Sequence, residues 1–520
     1  MSLTEDCIRE ILEYLSNDKK SLYSCLLTNR LFFRFIVPIL WRDPWININL
    51  ESVNLREQMY WNFIGRTISK CFSQEIKQFP ILLKNHKQNY LLQQQPLFDY
   101  ILYIQVISAG AINNLTKNIF EDNNNEQIEQ KINKQFWTFF MKRCLKIKSL
   151  DMPNFNLLLY PESKKFFSTI STLKIFSSYP KDLILELSKK IHTLNRIVLC
   201  LDNTIENSND DNNINNLILS QKNLRELKFI HNTRQIFPFN KDSINYLSKS
   251  LKILELCSCD YLPIQKISPF INLIELKICF RILYDDENFN INFNQISLPN
   301  LEILSLINVR EKDLSTFTNL IETTKGSLKI LNILLKTRSS TSLSSFSILS
   351  YLQTIKMICP NIEVLPIWLI SGIPLKEFED LLKSCKNLRK IIIHAIIPLN
   401  KTVAKSILYL LATKSSSNYL NNIHLIGSWN FSNLDQEIFD LWKEKKRKPL
   451  ELILNNNNIH SNYIIKFLVT NGNRNVYRYK CNTCFRVFCR MEHVNRHIRI
   501  HFRHCLHKCW NDCETSILNY

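Results

Sequence analysis

The sequence predicts an α/β chain: an irregular solenoid of short parallel strands, with a three-helix block in front and a small metal-organised finger behind. Three observations carry that expectation. The pattern apolar-x-x-apolar-x-apolar recurs twelve times between residues 147 and 454. Residues 3–41 hold short apolar stripes at helical spacing. Residues 481–501 hold two cysteines and two histidines at the spacing of zinc ligands.

Composition narrows the function classes before any motif is read. With 520 residues, 45% hydrophobic and 22% charged, the chain can bury a core, and its length suggests about three folded units. It has only 6 glycines, and neither G-x-G-x-x-G nor G-x-x-x-x-G-K-[ST] occurs. Enzymes built on phosphate-cradling loops are therefore disfavoured. The first residues lack a basic, then apolar, leader, and no apolar run reaches the length of a membrane span. The expectation is an intracellular soluble protein, in nucleus and cytoplasm, without a membrane partner. Ten scattered cysteines then read as reduced thiols, whereas six between 481 and 513 have the density of a metal site.

Residues 1–45 form the first block. Thr4 can cap a helix, with Glu5 and Asp6 in the first turn, where the helix dipole favours anions. Ile8, Ile11, Leu12 and Leu15 then make an amphipathic stripe. A second apolar set follows at Leu22, Cys25, Leu26 and Leu27, and a third at Leu31, Phe32, Phe35 and Ile36, ending near Pro38. So few residues bury little area, so one apolar face should meet a partner or a neighbouring domain. The run Leu3-Thr4-Glu5-Asp6-Cys7-Ile8-Arg9-Glu10-Ile11-Leu12-Glu13-Tyr14-Leu15, with Leu22 to Phe32 and Pro38-Ile39-Leu40-Trp41, resembles an F-box of the fungal F-box/leucine-rich-repeat families. The family usually opens Leu-Pro, and here Thr4 stands in place of the proline. The resemblance implies recruitment of a cullin–RING ubiquitin ligase through a Skp-type adaptor, bound by Ile8, Ile11, Leu12, Leu15, Leu26 and Trp41. An ordinary three-helix cap on a larger domain is the plainer alternative.

Residues 46–144 read as a helical linker region, and 145–470 as the repeat array. Its motifs begin at Ile147, Ile170, Leu194, Leu224, Leu251, Leu273, Leu301, Leu328, Ile362, Leu388, Leu420 and Pro449. The mean step of about 27 residues lies in the leucine-rich-repeat range, which predicts a horseshoe with the leucines of each strand turned inward. Steps from 22 to 34 residues make the repeat irregular. Asn-rich stretches at 122–125, 207–216 and 455–458 read as surface loops. Lys445-Lys446-Arg447-Lys448 is either a solvated helix face or a nuclear import signal. His394 and His424 read as ordinary strand histidines rather than ligands, and no residue of the array suggests catalysis.

Residues 477–503 carry the sharpest motif, Cys481-x2-Cys484-x12-His497-x3-His501, with apolar partners at Tyr479, Phe488 and Val494. Two thiolates from a hairpin and two imidazoles from one helix face would close a tetrahedral zinc site, and the metal would supply the folding energy of so small a unit. The motif resembles the C2H2 class of zinc fingers. That resemblance places Arg490, His493 and Arg496 at the base-reading positions of its helix. The string Arg490 to His497 is similar to fungal stress-response activators, which implies G-rich DNA as a partner. Between Gly472 and Trp510 stand nine Lys or Arg against the single acid Glu492. Residues 504–520 form a Cys/His-rich tail read as a truncated second finger.

Two readings follow. The chain is a non-catalytic substrate-recognition subunit of a cullin ligase, with the protein substrate on the repeat array. Alternatively, it is a zinc-dependent DNA-binding transcription regulator with an N-terminal interaction scaffold.

Overall fold

The computed structural model describes residues 4–45, 55–72, 96–119, 126–176, 179–201, 211–231, 239–259, 267–281, 296–336, 345–369, 375–399, 401–429, 441–442, 450–455, 464–469, 479–480 and 487–488. They form two compact units, residues 1–230 with 238–250, and residues 231–237 with 251–520.

The first unit opens with α1 (Glu5–Tyr14), α2 (Lys19–Leu26) and α3 (Arg30–Leu40). Each begins at a side-chain cap. Thr4 accepts from the Cys7 amide, Asp18 from Ser21 and Asn29 from Phe32, which satisfies amides that a helix start leaves without partners. Pro38 does not end α3. It sits in the last turn, where it forfeits a single backbone bond, and the helix runs on to Leu40. Ile8, Leu12, Leu22, Ile36 and Ile39 make the core between the three helices. Next come α4 (Leu55–Cys71), β1 (Val106–Ile107), α5 (Ala109–Ile119) and α6 (Glu126–Arg143).

The sheet of this unit runs β1, β2 (Ser149–Asp151), β3 (Thr172–Phe176), β4 (Arg196–Leu201) and β5 (Glu226–His231), in sequence order. The pairings from β1 to β4 are parallel. Between the strands lie α7 (Ser163–Phe167), α8 (Lys181–Lys190) and α9 (Asp211–Leu219), and α10 (Lys241–Ser250) follows. Helices α8, α9 and α10 pack in succession.

The second unit continues the same alternation. Its strands, again in sequence order, are β6 (Ile253–Cys259), β7 (Glu275–Phe280), β8 (Ile303–Val309), β9 (Ile330–Leu335), β10 (Val364–Leu369), β11 (Lys390–Leu399), β12 (Asn422–Trp429), β13 (Leu450–Asn455) and β14 (Ile464–Val469). They are parallel up to β13, and β14 runs back antiparallel. Helices α11 (Leu314–Glu322), α12 (Ser345–Ile358), α13 (Leu375–Ser384) and α14 (Lys401–Lys414) pack one on the next.

A strand stands on every one of the twelve apolar motifs. Their second residues meet across the ladder, Ile107–Leu150–Leu173–Ile197 in one unit, then Leu254–Leu276–Leu304–Leu331 and Leu365–Ile391–Ile423–Leu452 in the other. The first residues, from Ile147 to Leu420, are buried. Each such side chain removed from water contributes about 1.5–3 kcal/mol.

Two residues before each ladder position, one carbonyl accepts two amides of the next strand. The Arg42 carbonyl takes Gln105 and Val106, Gln105 takes Lys148 and Ser149, and Lys148 takes Ser171 and Thr172. The rung repeats at Ser171 and Asn195, and in the second unit at Lys252, Ile274, Glu302, Lys329, Glu363 and Arg389, always between 2.7 and 3.2 Å. On the opposite pleat, Asp151 pairs with Lys174 at 3.2 Å and Glu255 with Lys277 at 2.7 Å.

The expected fold class is corrected on this evidence. Only α/β holds. The chain is not an irregular leucine-rich-repeat horseshoe with a separate three-helix F-box-like domain and a ββα finger. It builds open parallel sheets of successive strands with packed helices between them. The repeat pattern fixes strands and their register, but not the returns, which here are helices of 9 to 14 residues in the second unit. Register shifts at Cys257/Cys259, Ile307/Val309 and Ala395/Leu399 interrupt the regular ladder. The helical block falls within the first compact unit. Of the finger, the described residues give only a two-stranded hairpin.

One glycine tests the ladder. Gly427 pairs with Ala395 at φ +102°, and a Cβ there would lie 2.2 Å from the Ala395 carbonyl oxygen. Gly427→Ala should cost more than about 2 kcal/mol, since the left-handed backbone alone costs about 1–2. Gly326→Ala, with its nearest atom at 2.9 Å, should cost less. Denaturant midpoints of the two variants check the order.

Candidate functional site

Among the described residues no group of three or more His, Cys, Asp or Glu side chains could hold a metal ion. The titratable groups buried in the units have structural surroundings. Burial pushes the Cys359 thiol up to about 12 and Cys385 to about 11. Cys71 and Cys144 are also raised by burial, and Cys144 donates to the Ile101 carbonyl at 3.6 Å. Such thiols stay protonated and are poor nucleophiles. Beside them Arg143 pairs with Asp99 and donates to the Cys71 carbonyl at 2.7 Å. Burial lowers His394 to about 4, and its ring stacks on Trp368 at 5.9 Å, so it is neutral at physiological pH. His424 is half-buried on β12.

The first unit carries the best-defined candidate surface. Of the six residues expected to meet an adaptor, Ile8 and Leu12 lie in the core of the helical block, and Leu15 and Leu26 pack against it. Trp41 is half-buried, its ring 4.4 Å from that of Tyr100. Ile11 alone turns outward, at 50% exposure. Sequence reasoning passed over Tyr14, which is 91% exposed one turn further along α1. The signal was available, because Ile8, Leu12 and Leu15 share one helical phase, while Cys7, Ile11 and Tyr14 share the next. Leu27, at the end of α2, is also exposed.

Arg42 fixes this face to the sheet. Its guanidinium grips both carboxylate oxygens of Glu13 on α1, while its carbonyl forms the first rung below β1. The Trp45 indole donates to the Val106 carbonyl at 2.9 Å. The hydrogen bond from Arg42 holds Glu13 below the usual carboxylate range, with further help from Lys148 and Arg9.

The terminal motif is described in backbone only. β15 (Tyr479–Lys480) pairs antiparallel with β16 (Val487–Phe488), Tyr479 opposite Phe488. The loop they close holds Cys481 and Cys484. Those two residues, with His497, His501, Arg490, His493 and Arg496, lie outside the described residues.

The Glu13–Arg42 pair has a definite pH signature. A carboxylate whose folded pKa is depressed stabilises the fold above its unfolded value, and that contribution is lost as pH falls through the folded value. Both side chains are a third or more exposed, so the coupling should not exceed about 1 kcal/mol. A double-mutant cycle with Glu13→Gln and Arg42→Met should give that coupling at pH 7, and it should vanish as pH falls below the carboxylate range.

No protein-family model matches the sequence, and no curated protein matches it.

Proposed function

We propose that the chain is a non-catalytic interaction protein: its N-terminal block docks the Skp-type adaptor of a cullin ubiquitin ligase, and its α/β units take the protein to be ubiquitylated. The observation that carries this reading is the division of α1 into a closed inner face and an outer face bearing Ile11 and Tyr14. Large apolar side chains left in water beside a complete core favour a partner surface. The likeness of residues 3–41 to an F-box names the class of partner. Ubiquitin transfer would occur on the ligase's other subunits, so the chain would supply binding and position. Ile11→Asp with Tyr14→Asp should reduce capture of the adaptor by the full chain at least tenfold, with circular dichroism unchanged. Leu12→Asp should instead unfold the block, since it buries a carboxylate without a partner. Unaltered capture by the Ile11/Tyr14 variant would sink this reading.

The hairpin β15–β16 favours a second activity in the same chain. It pairs Tyr479–Lys480 with Val487–Phe488, and Cys481-x2-Cys484 falls between the two strands in the sequence, a spacing at which two thiolates can share one metal. With His497 and His501 they make the donor set of a closed structural zinc site, and the metal would hold the finger folded. Arg490 and Arg496 would then grip guanines and His493 a third base. The full chain should carry one zinc ion that Cys484→Ser loses. It should prefer a GGG-containing duplex over an AT-only one by the 1–3 kcal/mol, in round terms, of one bidentate contact, and Arg490→Ala should erase that preference. Equal binding of both duplexes by the zinc-loaded chain would remove base reading.

A further inference from the structure

A second apolar surface lies on α4. Trp61, Ile64 and Ile68 turn inward and are buried. Met59 and Phe63, one turn apart on the outer side, are 73% and 62% exposed. The next two positions of the same helical phase are Arg66, which is exposed, and Lys70, which is half-buried. Neither makes an ion pair with a described residue, and residues 59–71 contain no Asp or Glu. The outer face of α4 therefore reads apolar, apolar, basic, basic along a single stripe.

The Tyr60 hydroxyl donates to the Pro44 carbonyl at 3.3 Å, which anchors α4 beside the segment that leads to the first rung. Burial raises the Tyr60 hydroxyl to about 12. Met59 and Phe63 thus form a patch that nothing described covers, with Arg66 and Lys70 at one end.

We propose that this face, Met59 with Phe63, Arg66 and Lys70, docks an amphipathic helix of another protein that carries acidic residues at one end of its apolar stripe. Charge complementarity sets the occupant. Arg66 and Lys70 lack carboxylate partners within the described residues, so an acidic segment gains ion pairs where a basic or neutral one gains none. The spacing of Met59, Phe63, Arg66 and Lys70 matches a helix laid along a helix.

The test uses the full chain and three labelled peptides. The first is a helix with Leu at i, i+4 and i+7 followed by two Glu, the second replaces those Glu by Lys, and the third scrambles the Leu positions. Fluorescence polarisation should show binding of the acidic peptide at least tenfold tighter than of the other two, weakening with salt. Phe63→Asp should abolish it, and Arg66→Glu should shift preference to the Lys peptide, both with unchanged thermal unfolding. Equal binding of all three peptides, or acidic-peptide binding that Phe63→Asp leaves intact, overturns the proposal. So does sedimentation or flotation showing that Phe63→Asp abolishes self-association or capture of anionic vesicles, since the occupant would then be a second copy or a lipid surface. Adaptor capture by Phe63→Asp and peptide binding by the Ile11/Tyr14 variant keep this surface separate from the one proposed above.

Discussion

Both units depend on one hydrogen-bonding device, the strand-leading carbonyl that accepts two successive amides from the next strand. A parallel ladder has slanted bonds and no hairpin to set its register, so something must fix where each strand begins. Here the rung does so. It lies two residues before the apolar ladder position in every strand where it is seen, as at Lys148 and Leu150 or Arg389 and Ile391. A slip of one residue would turn Leu304 or Ile391 to the opposite face and break two backbone bonds together. Polar side chains reinforce the same level. Gln221 accepts from the Leu194 amide and donates to the Ile191 carbonyl, and Ser417 donates to the Leu388 carbonyl at 2.7 Å. These bonds explain how buried amide and hydroxyl groups are tolerated within an apolar core.

The apolar pattern was legible because burial acts on single positions. Each of the twelve regularly spaced motifs carries a strand, and the ladder partners are the second residues of neighbouring motifs. Two strands escaped. β1 is two residues long and its motif, Ile104-x-x-Ile107-x-Ala109, ends on a small residue inside the expected linker. β14 runs antiparallel, and although Ile464-x-x-Phe467-x-Val469 fits the pattern, it follows Pro449 by only 15 residues, outside the repeat step. The fold class went wrong for a related reason. Strand motifs fix which residues pair and carry no information about whether successive strands bend into a horseshoe or form an open sheet.

The site was legible only in part. Cys481, Cys484, His497 and His501 announce themselves by spacing, because metal ligation demands residue types and not exposure. The adaptor surface was harder to read, because one apolar stripe can serve a core or a partner. Ile8 and Leu12 went to the core, and Ile11 stayed outside with Tyr14. The patch on α4 could not be read from sequence, since Met59 and Phe63 look like core residues until Trp61, Ile64 and Ile68 are seen to fill that role. Half-buried His394, stacked on Trp368, and the buried thiols Cys71, Cys144, Cys359 and Cys385 show the converse, reactive residue types spent on packing.

The constant distance from rung to ladder has a bearing on how such a chain can change over generations. Motif steps vary from 22 to 34 residues, yet the two-residue offset does not. Insertions and deletions between one strand's end and the next rung leave the phase of every buried side chain untouched, whereas a single residue gained or lost between rung and ladder inverts an entire strand. Genetic drift in length should therefore collect in the stretches after each strand, and the short stems that carry the rungs should hold their length even where their residues differ.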